Sequence, residues 1–513
     1  MSLYEMFYSS LLIAISSTLR IKMPANIVSL RFNRKKALFK LMKLTFYGAA
    51  QKVPGSMFLL EFEDGYQALI DCGSEVEGGG PVREDFPYGN FPFDASRVNV
   101  VILTHAHIDH SGQIPNLYED GFEGQVLCTS PTLDLTELLL YDAASLNARA
   151  VKTVERNKRK SKKGKILETR GLYLSRQVET AMENFVPIAF ENRFKFKDDG
   201  YVTFYPAGHL LGAAHVVIEV KEAGVWKKIG FSGDIGRKDF TLLVDPYKMP
   251  EVDYMVMEST YGLRNHVDQG DPVEIMEEII REACIDVKGR LIIPAFSVGR
   301  TQCMLFTLNR LYYEKDITPI KVFTDSPLAR ASTKVYEKYR NRLNKAARDF
   351  YEESDSLFDF ENLHYLESNR ESQMASTHTE PCIIISSSGM IKGGRVEYHI
   401  EKNIENPYAT ILMIGYANED SVGGKLLSGD QKELHIRNKK LAVNAKIRKT
   451  DIFSGHGDLD DLLAFVQNQN PERLKKLFLV HGDLNAMLNF KQILNERGYS
   501  NVELPERYQT FEL

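Results

Sequence analysis

The feature that most constrains this chain is an apolar strand that runs directly into a cluster of metal-ligand side chains. Residues Val98–Leu103 lead into Thr104-His105-Ala106-His107-Ile108-Asp109-His110. A spacing of two in extended chain sends His105 and His107 to the same side, and a following turn lets Asp109 and His110 face a second point. Imidazole and carboxylate groups at this density suit borderline metals such as Zn²⁺. A metal-free cluster would bring repelling or desolvated groups together, so we predict a metal site.

Four more candidate residues each follow a β-rich run and have glycine neighbours. They are His209 in Pro-Ala-Gly-His-Leu-Leu-Gly, Asp234 in Phe-Ser-Gly-Asp-Ile-Gly-Arg, His456 in Phe-Ser-Gly-His-Gly-Asp and His481 in Leu-Val-His-Gly. In α/β folds functional groups collect where strands end, and glycine lets the backbone approach closely. We therefore assign six of the twelve histidines to one centre. We expect the others to be structural or on the surface: His215, His266, His364, His378, His399 and His435.

Asp71 ends another strand, in Leu-Ile-Asp-Cys-Gly. It is either a turn residue or a carboxylate that orients a ligand histidine from behind. The spacing alone leaves both interpretations open.

The composition excludes several classes of protein. The chain has 513 residues, with 43% hydrophobic and 26% charged residues, which is ordinary for a folded domain protein. We find no uncharged apolar run of the ~18–20 residues that span a membrane. The net charge of −5 does not by itself indicate nucleic-acid binding, so a nucleic-acid site would depend on local basic patches. The five cysteines contain no CxxC, which indicates buried thiols in a reducing compartment and a cytoplasmic location.

Alternating β-rich and helical patterns predict an α/β protein with substantial sheet. Asp64-Gly65 predicts a hairpin turn, and the helical patterns include Leu133–Ala148 and Pro272–Val287. Residues 263–420 form a self-contained α/β run between two stretches with His and Asp clusters, which indicates an inserted domain. We therefore divide the chain into an N-terminal extension (1–41), a first main part (42–262), an insert (263–420) and a C-terminal part (421–513). The apolar stretch Leu11–Ile15 has no preceding basic residue, so a signal peptide is disfavoured and residues 1–41 stand outside the fold argument.

The ordered motifs resemble those of the metallo-β-lactamase fold and of its β-CASP nuclease branch, over residues 43–513. Asp71, the His105–His110 run, His209 and Asp234 match the four general motifs in order. The branch-specific motifs match Glu258 in Glu-Ser-Thr-Tyr-Gly, His456 and His481. Pro294–Arg300 and Asp325–Ala329 are similar to segments of the inserted domain. Within the branch, the sequences of these motifs are most similar to those of the endonuclease subunit of the cleavage and polyadenylation specificity factor and its prokaryotic relatives.

The resemblance implies an αββα sandwich with an inserted β-CASP α/β domain, and two Zn²⁺ per chain. One ion would take His105, His107 and His209, the other would take Asp109, His110 and His481, and Asp234 would bridge them. A metal-bridging hydroxide would attack phosphorus, and His456, held by Glu258, would protonate the leaving oxygen. Asp109 is either a ligand only or also a proton acceptor.

The resemblance also implies a ribonuclease, because His at the last motif, here His481, is typical of RNA-processing members. We expect endonucleolytic cleavage of single-stranded RNA, as in mRNA 3′-end processing, with 5′-phosphate and 3′-hydroxyl products. The alternatives are a 5′–3′ exoribonuclease, a DNA nuclease, a non-nucleolytic hydrolase or a non-catalytic scaffold subunit. A homodimer is left open.

The expected RNA contacts lie in the insert. Arg300 begins a helical pattern and is either a phosphate contact or part of a structural ion pair. Ser387 and Ser388 lie in a Ser/Gly-rich loop whose backbone donors would suit a phosphate.

Two basic segments outside the insert, Lys152–Lys165 and Lys439–Lys449, are either solvated surface or phosphate-attracting patches.

Overall fold

A computed structural model describes residues 41–75, 86–160, 171–268, 270–415, 421–429, 431–437 and 439–513, with backbone only for 154–160. The predicted N-terminal extension therefore lies outside the described residues except for Leu41. Residues 161–165 of the basic segment Lys152–Lys165 also lie outside the described residues, and residues 152–160 continue a helix.

The described strands, in chain order, are β1 Lys43–Phe46, β2 Phe58–Glu61, β3 Gln67–Ile70, β4 Val100–Ile102, β5 Gln125–Cys128, β6 Phe185–Pro187, β7 Phe194–Lys197, β8 Gly200–Pro206, β9 Ala214–Glu222, β10 Val225–Phe231, β11 Tyr254–Glu258, β12 Arg290–Pro294, β13 Lys321–Asp325, β14 Leu363–Tyr365, β15 Cys382–Ser386, β16 Ala409–Ile414, β17 Glu433–Ile436, β18 Lys439–Ala442, β19 Lys446–Thr450, β20 Lys476–Val480, β21 Val502–Glu503 and β22 Thr510–Glu512. The described α-helices are α1 Ile108–Ser111, α2 Ile114–Glu119, α3 Ser130–Lys160, α4 Ser175–Met182, α5 Pro272–Ile280, α6 Arg300–Glu314, α7 Pro327–Lys338, α8 Lys345–Ser354, α9 Asn369–Ser376, α10 Val396–Asn403, α11 Val422–Ser428, α12 Leu459–Val466 and α13 Leu484–Glu496.

The first hairpin shows how local sequence sets the register. Strands β2 and β3 pair antiparallel from Phe58 opposite Ile70 to Glu61 opposite Gln67. The turn between them places Gly65 at φ 86°, a left-handed conformation that glycine adopts without steric cost. Asp64 accepts a hydrogen bond from the Tyr66 amide at 2.9 Å. The predicted Asp-Gly turn is present in the structure.

Two seven-stranded sheets form the main body. Their strand orders are β22-β1-β2-β3-β4-β5-β6 and β21-β20-β11-β10-β9-β8-β7. Phenylalanine side chains from both sheets fill the space between them, since Phe58 lies 5.6 Å from Phe46 and 6.3 Å from Phe231 between ring centroids. Helices cover the outer faces: α2 and α4 the first sheet, α12 and α13 the second. This is the predicted αββα sandwich.

A third sheet, of order β14-β13-β15-β12-β16-β19, carries the inserted domain. Its strands are parallel, β15 is buried along its whole length and β12 is buried except at Arg290, which is typical of a sheet with helices on both faces. The sheet extends past residue 420 to Thr450, because β19 pairs with β16. We therefore propose that the insert ends after Thr450 rather than at 420.

Two predicted helices differ in extent from the structure. The helix expected over Leu133–Ala148 runs as α3 from Ser130 to Lys160, so the basic segment begins as helix rather than loop. The helix expected over Pro272–Val287 ends its α-helical part at Ile280 and continues as a wider π-helical turn to Asp286. Among the described helices, we find none whose length and apolarity would let it cross a membrane.

The inter-sheet core predicts a stability effect at Phe478, which is fully buried and packs 5.2 Å from Phe46. Replacing Phe478 by Ala leaves a cavity, so we expect the free energy of unfolding to fall by about 3–5 kcal/mol in denaturant titrations. Tyr408→Ala is the control, since Tyr408 is 65% exposed, and it should change stability little. Equal stability of the two variants would contradict this packing.

Candidate metal centre

The predicted site residues meet at one edge of the sandwich because they follow strands that end there. Strands β3 and β4 are parallel in the first sheet, and β10, β11 and β20 are parallel in the second. Their carboxyl ends carry residues of both the general and the branch-specific motifs. The residues that follow or end these strands are Asp71, the His105–His110 run, Asp234, Glu258 and His481.

A first group joins three imidazoles and one carboxylate. Nδ1 of His107 lies 3.1 Å from Nε2 of His105 and 3.2 Å from Nε2 of His209. Oδ2 of Asp234 lies 3.4 Å from Nε2 of His105 and 3.5 Å from Nε2 of His209. All four ligand atoms fall within 4.8 Å of one another, which leaves them aimed at a common point.

A second group lies on the other side of Asp234. It contains Asp109, His110 and His481, whose ligand atoms are also within 4.8 Å of one another. Nε2 of His481 is 3.4 Å from Oδ2 of Asp109, and Nε2 of His110 is 3.3 Å from Oδ1 of Asp234. The two oxygens of Asp234 therefore face different groups, the arrangement of a bridging carboxylate.

Hydrogen bonds behind the rings fix which nitrogen each histidine presents. Nδ1 of His209 donates to the Gly455 carbonyl at 3.0 Å, so its Nε2 faces the first group. Oδ2 of Asp71 lies 2.7 Å from Nδ1 of His110 and accepts from the Thr104 hydroxyl at 2.9 Å. Asp71 thus makes the contact of an orienting carboxylate. Its backbone has a left-handed φ of 57°.

Close backbone approach brings Asp71 to the histidine run. A Cβ on Gly73 would lie 1.7 Å from the Asp109 carbonyl oxygen, and that carbonyl accepts from the Ser56 amide at 2.8 Å. Only glycine fits at this position, because any side chain would push the Asp109 turn away from the strand end.

The electrostatics of the first group favour neutral rings. Burial lowers the pKa of His107 to about 4 and holds the pKa values of His105 and His209 well below their usual range. In the second group burial acts the same way, but Asp234 and Asp71 raise the pKa of His110 well above its usual value. Asp234 likewise raises the pKa of His481.

These residues fit a divalent metal. Oδ1 of Asp234 is buried and, among the described residues, has no hydrogen-bond partner. Burying a carboxylate oxygen and several ring lone pairs without donors is costly unless a cation satisfies them. Nitrogen and carboxylate ligands are the donor set that Zn²⁺ prefers outside thiolate sites.

His456 and Glu258 form a third group beside Asp234. Nδ1 of His456 lies 3.1 Å from Oε1 of Glu258, and its Nε2 lies 3.9 Å from Oδ2 of Asp234. Glu258 is buried and accepts from the amides of Ile235 at 2.6 Å and Thr260 at 3.2 Å. The pair is therefore held next to the metal-ligand groups without belonging to either.

Two contacts at the centre escaped the sequence analysis. The Thr260 hydroxyl lies 3.0 Å from Nδ1 of His481. His266, expected to be structural or on the surface, donates from Nε2 to the His456 carbonyl at 3.0 Å. Both belong to the stretch that opens with Glu-Ser-Thr-Tyr-Gly, so the run beyond that motif was the available signal. His215 is buried and packs 4.5 Å from Phe465, a structural position as expected.

The expected RNA-contact residues lie at the carboxyl edge of the third sheet. The Arg300 guanidinium sits over the Phe296 ring, 4.7 Å from its centroid. The Ser387 carbonyl accepts from the Val396 amide, and the Ser388 hydroxyl donates to the Lys392 carbonyl at 3.1 Å. Gly299 packs against Leu210, the neighbour of His209, so this edge adjoins the metal-ligand loops.

The Asp71 contact predicts a change in metal affinity. Asp71→Ala removes the carboxylate that orients His110, and loss of such a partner typically weakens metal binding 10–100-fold, so we expect a loss on the order of that size. Competition with a chromogenic chelator measures it. Asp64→Ala, which removes an exposed carboxylate paired with Lys197, is the matched control. Unchanged affinity in Asp71→Ala would reject the orienting role.

Three family models match the chain. A metallo-β-lactamase superfamily model matches residues 50–276, a β-CASP domain model 301–426, and a model of the Zn-dependent metallo-hydrolase RNA specificity domain 440–505.

Several known proteins are similar over most of this chain. A ribonuclease of Thermus thermophilus is 28% identical over 83% of this chain and 91% of its own length. Transcription termination factor FttA of Methanosarcina mazei is 29% identical over 84% of this chain, but this chain spans only 65% of that factor.

A solved structure of a protein of unknown function from Enterococcus faecalis aligns over 92% of this chain and all of its own, with a TM-score of 0.50 and 13% identity, which concerns the fold alone. The metal-ligand groups, the sandwich with its insert and the three matching models together place this chain in the β-CASP branch of the metallo-β-lactamase superfamily.

Proposed function

We propose that this protein is a zinc-dependent endoribonuclease that hydrolyses phosphodiester bonds in single-stranded RNA. The observation that carries the proposal is the pair of ligand groups that share Asp234, one carboxylate oxygen facing each. Ribonuclease relatives and the RNA specificity domain model support RNA as the substrate.

We assign one ion to His105, His107 and His209 and a second to Asp109, His110 and His481, with Asp234 between them. When bound, the two ions would activate a water and neutralise charge on the phosphodiester. Asp109 is partly open to solvent, since its side chain is 29% exposed and that of its neighbour His481 only 3%. This exposure suits a ligand that also accepts a proton, and we propose both roles for it.

His456 is the proposed proton donor to the leaving oxygen. Its Nδ1–H donates to Glu258, which leaves Nε2 as the atom that carries the transferable proton on the side of Asp234. Glu258 cannot swing away because two backbone amides hold its oxygens. The pair is therefore pre-oriented, as general acid catalysis requires.

The insert would hold the RNA strand. Arg300 and the loop of Ser387 and Ser388 follow neighbouring strands, β12 and β15, whose ends pair at Pro294 and Ser386. Together they would offer a guanidinium and backbone donors to phosphates. A role like that of mRNA 3′-end-processing nucleases, a homodimer and a cytoplasmic location stay predictions.

The scaffold alternative is disfavoured because each ligand position carries a metal-binding side chain. The exonuclease and DNA nuclease alternatives use the same centre, so the choice of substrate separates them.

We expect the zinc-loaded protein to cut a covalently closed circle of single-stranded RNA, leaving 5′-phosphate and 3′-hydroxyl ends. His456→Ala should slow cleavage by about 10²–10⁴-fold, because a positioned general acid contributes that much, and Asp109→Ala should also lose most activity. Tyr408→Ala is the exposed control and should keep full activity.

Linear RNA of the same sequence and a DNA circle complete the experiment. Degradation of linear RNA alone would favour the exonuclease, and preference for the DNA circle would favour a DNA nuclease. Full activity in both His456→Ala and Asp109→Ala would reject the mechanism.

A further inference from the structure

We infer that His266 is a positioning residue for proton donation, because its ring holds the backbone carbonyl of His456 from the far side of the metal centre. This inference rests on the proposed function, in which His456 protonates the leaving oxygen. It assigns a task to a histidine that lies outside the metal-ligand groups.

Three contacts fix the backbone on either side of His456. Nε2 of His266 donates to the His456 carbonyl at 3.0 Å, and the Gly457 amide of the same peptide unit donates to the Ile235 carbonyl at 2.7 Å. The preceding carbonyl, of Gly455, accepts from Nδ1 of His209. Both the carbonyl and the amide of the His456–Gly457 peptide unit are therefore held by hydrogen bonds.

The sequence of this loop explains why such contacts matter. His456 lies between two glycines, which permit far more backbone conformations than other residues. Its side chain is anchored at Nδ1 by Glu258. A ring tied at one end still moves if its peptide unit rotates, so Glu258 and His266 together define where Nε2 points.

His266 is itself held rigidly. Its side chain is almost fully buried, and its ring packs edge-on against Tyr261 with centroids 4.5 Å apart. On the other side, Nδ1 lies 3.4 Å from Oδ2 of Asp451 but has no hydrogen-bond partner among the described residues, so burial and the Tyr261 contact hold the ring. The Asp451 carboxylate is fixed in turn by the Val267 amide at 3.0 Å and by Arg264 at 3.1 Å.

A further contact ties the two segments together. The His266 amide donates to Oδ2 of Asp458 at 3.1 Å, and Asp458 caps helix α12 directly after the His456 loop. The segment after Glu-Ser-Thr-Tyr-Gly and the Ser-Gly-His loop thus form one unit. A rival interpretation is that His266 only packs this unit and has no bearing on proton transfer.

Substrate chemistry separates the two interpretations. In ordinary RNA the P–O bond to the 3′-oxygen breaks and that oxygen needs a proton. With a bridging 3′-sulfur at the scissile bond, the P–S bond breaks and the thiolate leaves without one. Removal of a proton-transfer function therefore slows cleavage of the first substrate and spares the second.

The experiment measures single-turnover cleavage of both RNAs by the zinc-loaded wild type, His266→Phe and His266→Gln. Phe keeps a ring but loses the donor, and Gln keeps an N–H donor. We expect His266→Phe to lose about 10–100-fold on ordinary RNA, part of the ~10²–10⁴-fold effect of a general acid, and under about 3-fold on the sulfur substrate. His266→Gln should recover most of the ordinary rate. Zinc content and unfolding temperature serve as fold controls.

Equal losses on both substrates, or no loss on either, would overturn the inference while leaving the ribonuclease proposal intact. If His266→Phe does not fold, His266→Leu, which also lacks the donor, takes its place: a loss confined to ordinary RNA supports the inference, and any other result overturns it. His456→Ala, run in parallel, tests the foundation. An equal loss on both substrates by that variant would reject proton donation by His456, and the inference with it.

Discussion

The structure depends on one buried carboxylate. Asp234 is 2% exposed and lies between two sets of imidazoles, with one oxygen turned to each. A carboxylate and ring lone pairs cannot be buried against one another at low cost unless cations lie between them. The folded sandwich therefore creates a demand for positive charge at this edge, and the ligand side chains are arranged to meet that demand with metal.

The rest of the fold holds those side chains in place. The phenylalanine-rich core locks the two sheets together, so strand ends from both sheets meet in a fixed geometry. The backbone accepts strain where it must: Asp71 and His481 adopt left-handed φ values of 57° and 49°. Such conformations persist where surrounding contacts over-determine them, and they cluster at functional sites.

Much of the candidate metal centre could be predicted from the sequence, because its ligands lie in short, dense motifs that directly follow strands. The His105–His110 run and the Gly-flanked His209 and Asp234 all lie where the pattern put them. Asp71 had two interpretations that spacing could not separate, and the structure adds its contact with His110, which depends on a residue 39 positions away. Residues that follow one another in sequence carried the strongest signal.

What the sequence missed depends on contacts between distant segments. His266 contacts the backbone of His456, and a backbone acceptor leaves no trace in residue identity. Strand β19 pairs with β16 in the third sheet, so we propose that the insert extends past the predicted boundary at 420. Sheet membership is decided by long-range pairing, which local patterns do not encode.

The central claim is that two divalent ions share Asp234. Anomalous diffraction at the zinc absorption edge from crystals of the zinc-loaded protein tests this most directly. The account predicts two peaks per chain, one beside His105, His107 and His209 and the other beside Asp109, His110 and His481, with Asp234 between them. A single peak, or peaks away from these side chains, would contradict it.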